Sequence, residues 1–106
     1  MYALAVRFDL VDAESAAAFD QLVAETSHGI RDLEPGTLVY ATHRVEGAPL
    51  ARVFYEVYRD RGAFEAHEQQ QHTQRFLRER EQYVSSTRVE FLTTYTTKGF
   101  GAPDAD

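Results

Sequence analysis

The sequence predicts an α+β domain in which two helical segments pack on one face of a four-stranded antiparallel sheet. Three observations carry this. Apolar residues alternate with period two in four stretches, they recur at three and four residues in the stretches between, and the 106 residues change composition only in the last few. That length holds one domain with one modest core. Residues 1–95 are expected to form it, and residues 96–106 a flexible tail.

Residues 2 to 10 alternate, with Leu4, Val6 and Phe8 on one side and Ala3, Ala5, Arg7 and Asp9 on the other. This is the pattern of a half-buried strand. From Ala13 to Leu33 the period changes: Phe19, Leu22, Val23, Thr26 and Ile30 make one stripe of a helix. Glu34-Pro35-Gly36-Thr37 ends it, because proline lacks a donor and glycine tolerates positive φ. Leu38 to Val45 and Ala51 to Arg59 read as two strands joined across Glu46-Gly47-Ala48-Pro49 as a hairpin. Asp60 is placed to cap a helix running through Phe64 to about Gln70. A further helical piece carries Phe76, Leu77, Tyr83 and Val84, and Arg88 to Tyr95 alternates as a fourth strand.

Strand, helix, strand, strand, helix, strand is the ferredoxin-like split βαβ order. Its helices cover one sheet face. The third strand nonetheless carries large residues on both sides, Val53, Tyr55 and Val57 against Phe54, Glu56 and Tyr58. A second copy of the chain packed about a two-fold axis would cover the bare face, so a homodimer is expected.

Composition narrows the function. A formal net charge of −6 with no Lys/Arg cluster disfavours nucleic acid as a partner. No apolar run approaches the roughly 20 residues of a membrane span, and no basic leader precedes the first strand, so no membrane partner and a cytoplasmic location are expected. The absence of cysteine removes disulfides, thiolate nucleophiles, Fe–S clusters and Cys-type zinc sites. No Walker loop, G-x-S-x-G, H-E-x-x-H or dinucleotide glycine fingerprint is present.

What remains is a set of His, Glu and Tyr residues: Glu56, Tyr58, His67 and His72, with His43 from the second strand. Glu56 and Tyr58 share a strand face with Phe54. A carboxylate there either stabilises the fold through a hydrogen bond or lines a wet cavity. His67 follows Phe64 by three residues and leans with it toward the sheet, where an imidazole could act as a general base; a half-exposed histidine is the alternative. His67 and His72 are five apart, which on a continuous helix separates them around the axis, so no metal site is expected. His72 could cap the next helical piece or stand at a cavity mouth, and His43 could occupy a strand exterior. Tyr40, Phe54, Tyr58, Phe64 and Phe76 make either ordinary core or a wall for a flat aromatic ligand.

Four segments in this order are similar to successive signatures of the antibiotic biosynthesis monooxygenase family: Glu34-Pro35-Gly36-Thr37-Leu38-Val39-Tyr40, Phe54-Tyr55-Glu56-Val57-Tyr58-Arg59-Asp60, Ala63-Phe64-Glu65-Ala66-His67, and His72 to Phe76. The resemblance implies a dimeric α+β barrel with one cavity per subunit. It also implies oxidation of a quinol or a polycyclic phenol or anthrone by molecular oxygen, without flavin, haem or metal. Relatives that degrade haem or tailor polyketides rely on Asn and Trp, and this chain has neither. It therefore resembles the quinol monooxygenase-like branch. On that reading His67, with Glu56 and Tyr58, is the catalytic group, while Tyr40, Phe54, Phe64, His72, Phe76 and His43 hold the substrate. Two other classes stay open: an isomerase that shuttles a proton between the same histidine and carboxylate, and a non-catalytic dimer that binds aromatics.

Overall fold

A computed structural model describes residues 1–99. The elements are β1 (Tyr2–Leu10), α1 (Ala13–Leu33), β2 (Thr37–Val45), β3 (Ala48–Tyr58), α2 (Arg61–Gln69), α3 (Gln71–Glu79), a 3₁₀ turn over Arg80–Gln82, and β4 (Val84–Thr93). The sheet order is β2-β3-β1-β4 with every pair antiparallel. This is the ferredoxin-like α+β arrangement expected from the order of periods.

Helix α1 begins where Asp12 accepts the Ser15 amide at 2.7 Å, and α2 where Asp60 accepts the Ala63 amide at 2.8 Å. The stripe read from the sequence, Phe19, Leu22, Val23, Thr26 and Ile30, is buried. Its Phe19, Leu22 and Val23 share one core with Leu4, Val6, Phe8 and Leu10 of β1, Phe54 and Tyr58 of β3, and Phe76 from α3. Phe8 packs edge-on to Phe54 with ring centroids 4.9 Å apart, a geometry that suits the ring quadrupoles. The opposite face carries Ala3, Ala5, Val39, Ala41, Val53, Tyr55 and Val57 in paired register and adds nothing to that core.

The structure moves three boundaries. The β2–β3 turn is only Glu46-Gly47, with Gly47 at φ +79°. Ala48 and Pro49 belong to β3, and Pro49 is tolerated because it falls where the register with β2 shifts and no ladder donor is needed. The break between the two helical pieces falls at Gln70, as read from the sequence, where a ψ of 145° is extended. Tyr83 and Val84 continue the helical spacing of Phe76 and Leu77 but are not helical. Val84 pairs with Leu10, and the hydroxyls of Ser85 and Ser86 bind Asp9, so β4 starts four residues earlier than the alternation suggests and ends at Thr93. Of the expected tail, Thr96–Gly99 has no regular structure, and 100–106 lie outside the described residues. No helix among the described residues is long and apolar enough to cross a membrane.

Candidate functional site

Between helices and sheet lies a cavity of about 180 Å³. Its floor is Leu4, Val6, Phe8 and Phe54, and it opens beside Val89 and Phe91 of β4. Antiparallel partners share a face, so Phe91 opposite Leu4 and Val89 opposite Val6 point to the helix side, where they stay 60% and 45% exposed. Tyr40, Glu56, His67, Thr73 and Arg80 bring polar groups to the apolar wall.

The alternation of β3 sends Phe54, Glu56 and Tyr58 inward together. Tyr58 is fully buried behind the cavity, and its hydroxyl donates to Glu56 Oε1 at 2.6 Å. Burial holds the Tyr58 phenol far above its ordinary range, and the Glu56 charge adds to the effect. Tyr58 is therefore a donor that fixes Glu56, and it does not line the cavity. Burial also raises the Glu56 carboxyl, against the lowering effects of Tyr58 and His67. Tyr40 is held protonated in the same way, first by burial and then by the charges of Glu56 and Glu34.

His67 is buried in the last turn of α2, where a helix C-terminus favours a basic group. Its nearer carboxylate is Glu34, just past the end of α1. His67 Nδ1 lies 2.8 Å from Glu34 Oε1, whereas Nε2 lies 4.0 Å from Glu56 Oε1. Thr37 donates to Glu34 Oε1 at 2.6 Å, and His72 Nε2 bonds Glu34 Oε2. Burial pushes the Glu34 carboxyl up, but the hydrogen bonds from His67, Thr37 and His72 outweigh it and hold the group below its usual range. An ionised Glu34 can only accept, so the proton of a neutral His67 sits on Nδ1 and the bare Nε2 faces Glu56.

Five residues apart on one helix, His67 and His72 would diverge. The extended residue Gln70 turns α3 so that both rings reach one carboxylate. No three His, Asp or Glu side chains among the described residues are arranged to hold a metal. Of the residues singled out from the sequence, Tyr40, Phe54, Glu56, Phe64, His67 and Phe76 line the cavity, while Tyr58 and His72 stand behind it. His43 does not join them. Three residues after Tyr40, it takes the other face of β2, where it is exposed and its ring meets the Val53 carbonyl at 3.1 Å.

Sequence reasoning missed Glu34 and Arg80. The signal for Glu34 was there: an acidic residue at a helix C-terminus opposes the helix dipole and requires a donor elsewhere. Arg80 Nε is the one buried side-chain nitrogen or oxygen among the described residues without a hydrogen-bond partner. Its guanidinium lies 5.5 Å from the Phe8 ring centre, and the nearest carboxylate oxygen paired with it, on Glu81, is 3.7 Å from Nε. No local pattern marks such a residue, since it depends on the turn that follows α3.

The family model for antibiotic biosynthesis monooxygenases matches residues 1–79, which include Glu34, Glu56, His67 and His72. The chain belongs to the antibiotic biosynthesis monooxygenase family. Solved structures named for this family share its fold at low identity. One from Caulobacter crescentus CB15 is 17% identical, with 90% of each chain covered and a TM-score of 0.83. One from Bacteroides thetaiotaomicron VPI-5482 is 20% identical, with 90% of each chain covered and a TM-score of 0.82. One from Nitrosomonas europaea is 19% identical over 91% of this chain and 100% of its own, with a TM-score of 0.82. No curated protein matches the chain. In this member of the family the cavity histidine is held through a carboxylate at the end of α1.

Proposed function

We propose that this chain is a cofactor-independent monooxygenase acting on a small phenol or quinol. The observation that carries the reading is His67, tied at Nδ1 to the ionised Glu34 and free at Nε2 beside an aromatic cavity. Nε2 takes the proton of the bound hydroxyl. The phenolate passes an electron to oxygen, the resulting radicals combine as a carbon-bound peroxide, and His67 returns the proton as the O–O bond breaks. The peroxide-bearing carbon loses its C–H proton in the same step and becomes a carbonyl, so one oxygen atom stays on that carbon, the other leaves as water with both protons, and the broken C–H bond supplies the two electrons. Arg80, whose Nε has no hydrogen-bond partner, is the cation in the cavity wall that can face the developing oxyanion.

Cavity size selects among substrates. Drug-sized ligands occupy roughly 300–1,000 Å³, and a cavity of about 150 Å³ accepts benzene. At about 180 Å³ the cavity suits one or two rings better than an extended polycycle. The working unit is a homodimer, supported by the large residues Val53 and Tyr55 on the face away from the core and by exposed Leu92 beside them. Oxygen uptake against a panel of quinols, naphthols and anthrones tests the activity. Uptake with none of them removes it.

A second reading has its own observation. Glu56 and His67 Nε2, 4.0 Å apart, could relay a proton between adjacent carbons of a hydroxyketone. Such an isomerase consumes no oxygen, so the same electrode separates the two.

A further inference from the structure

A base at His67 leaves two features of the structure without a role: the second histidine on Glu34, and a glycine deep inside α1. Thr37 and His67 both engage Glu34 Oε1, whereas Oε2 is met by His72. Glu34 is 3% exposed, so water offers Oε2 little substitute. A carboxylate's terminal torsion is broad, and an unmet Oε2 would let the group rotate away from His67. Gly29 explains how His72 gets there. A Cβ at Gly29 would stand 2.5 Å from His72 Cγ and 2.8 Å from Cε1, inside van der Waals contact. Alanine would favour the helix over glycine, so the local preference of α1 runs against the residue it carries, and room for the ring is the steric reason.

We propose that Gly29 and His72 are positioning residues for His67: the His72 ring, admitted by the missing side chain of Gly29, clamps Glu34 so that His67 keeps its proton on Nδ1 and presents a bare Nε2 to the cavity. The inference rests on the reading of His67 as the base. Other groups face that ring from every packed element: Thr37 and Tyr40 from β2, Glu56 and Tyr58 from β3, and Thr73 from α3, with Glu68 beside it on α2. Among them only Thr73 comes near Nδ1, at 3.5 Å, and its hydroxyl can serve either tautomer. The choice of nitrogen therefore falls to Glu34.

The test uses the full-length chain and its Gly29→Ala, His72→Leu and His72→Gln variants, with ¹⁵N-labelled histidine and circular dichroism to confirm folding. Above the histidine titration range, wild type should show His67 as the Nδ1–H tautomer. Gly29→Ala and His72→Leu should shift it toward Nε2–H. His72→Gln should keep Nδ1–H, because the glutamine amide can still donate to Oε2. On the best quinol, kcat should fall about 10- to 100-fold in the first two variants with KM little changed, and stay near wild type in His72→Gln. The same tautomer in all four proteins overturns the inference, as does a tautomer shift without loss of kcat. Should Gly29→Ala not fold, His72→Leu and His72→Gln still decide it. Full activity in His67→Ala would defeat the base reading instead, and the tautomer series would be untouched by that result.

Discussion

Glu34→Gln is nearly isosteric, yet it strikes a carboxylate with three side-chain partners, the most of any among the described residues. The wild-type group accepts from Thr37 and His67 on Oε1 and from His72 on Oε2. The amide keeps one acceptor oxygen for Oε1, but its NH₂ then faces His72 Nε2 as a donor, so the charge-assisted bond there is lost and the ring must change tautomer to accept in its place. Hydrogen bonds to a charged group contribute about 1.5–3 kcal/mol each. Losing one, weakening two, and recovering part of the cost of burying a charge leaves a net loss of roughly 2–3 kcal/mol. For a domain of this size that lowers Tm by about 10–20 °C.

The pH dependence gives the sharper result. Glu34 is held below its ordinary carboxyl value of 4.5, so its contribution is present in full above that value and is lost as pH falls through the depressed folded value. Glu56, raised by burial, works in the other direction and is common to both proteins. Thermal unfolding by circular dichroism from pH 7 to pH 3 should therefore show a gap between wild type and variant that keeps its full width down to about pH 4.5 and closes below it. A gap that stays constant on acidification, or a variant that melts with wild type at pH 6, would refute the assignment of Glu34 as an ionised, shared acceptor.

His67→Ala should keep the fold and lower turnover in oxygen uptake by about 10²- to 10⁴-fold, with KM changing much less; an unchanged rate makes His67 a wall residue. Arg80→Gln should reduce kcat/KM for quinols by about 10- to 100-fold, and no change would leave Arg80 as a cation stacked on Phe8 and nothing more. Light scattering at micromolar concentration should give twice the 12.1 kDa of one chain, and a species of one chain's mass would remove the support for a barrel.

Much of the fold was legible because its elements depend on period. The α1 stripe from Phe19 to Ile30 and the inward row Phe54, Glu56 and Tyr58 follow from 3.6-residue and two-residue repeats with little help from their surroundings. What failed did so where period is silent. Val84 continues a helical spacing, and its pairing with Leu10, beside the Ser85 and Ser86 hydroxyls on Asp9, makes it strand. The site was half legible for the same reason. Glu56 and His67 could be placed on faces, but the break at Gln70 joins His72 to His67, and the partner they share lies 33 and 38 residues away in sequence. His43 takes the strand exterior that the sequence also allowed, since alternation sends it and Tyr40 to opposite sides.

The route of the chain through the sheet bears on when the cavity comes into being. Central strand β1 pairs with β3 on one side and with β4 on the other, so Tyr2 meets Thr93 and nearly the whole described chain lies between two hydrogen-bonded neighbours. Closing so long a loop is entropically costly, and contacts of this separation form late. Glu34, Glu56, His67 and His72 precede that closure in the chain, while the outer wall made by Val89 and Phe91 comes with β4. On the ribosome, the groups that handle protons are thus synthesised before the wall that keeps water from them. The cavity can exclude solvent only once the last strand has joined the first.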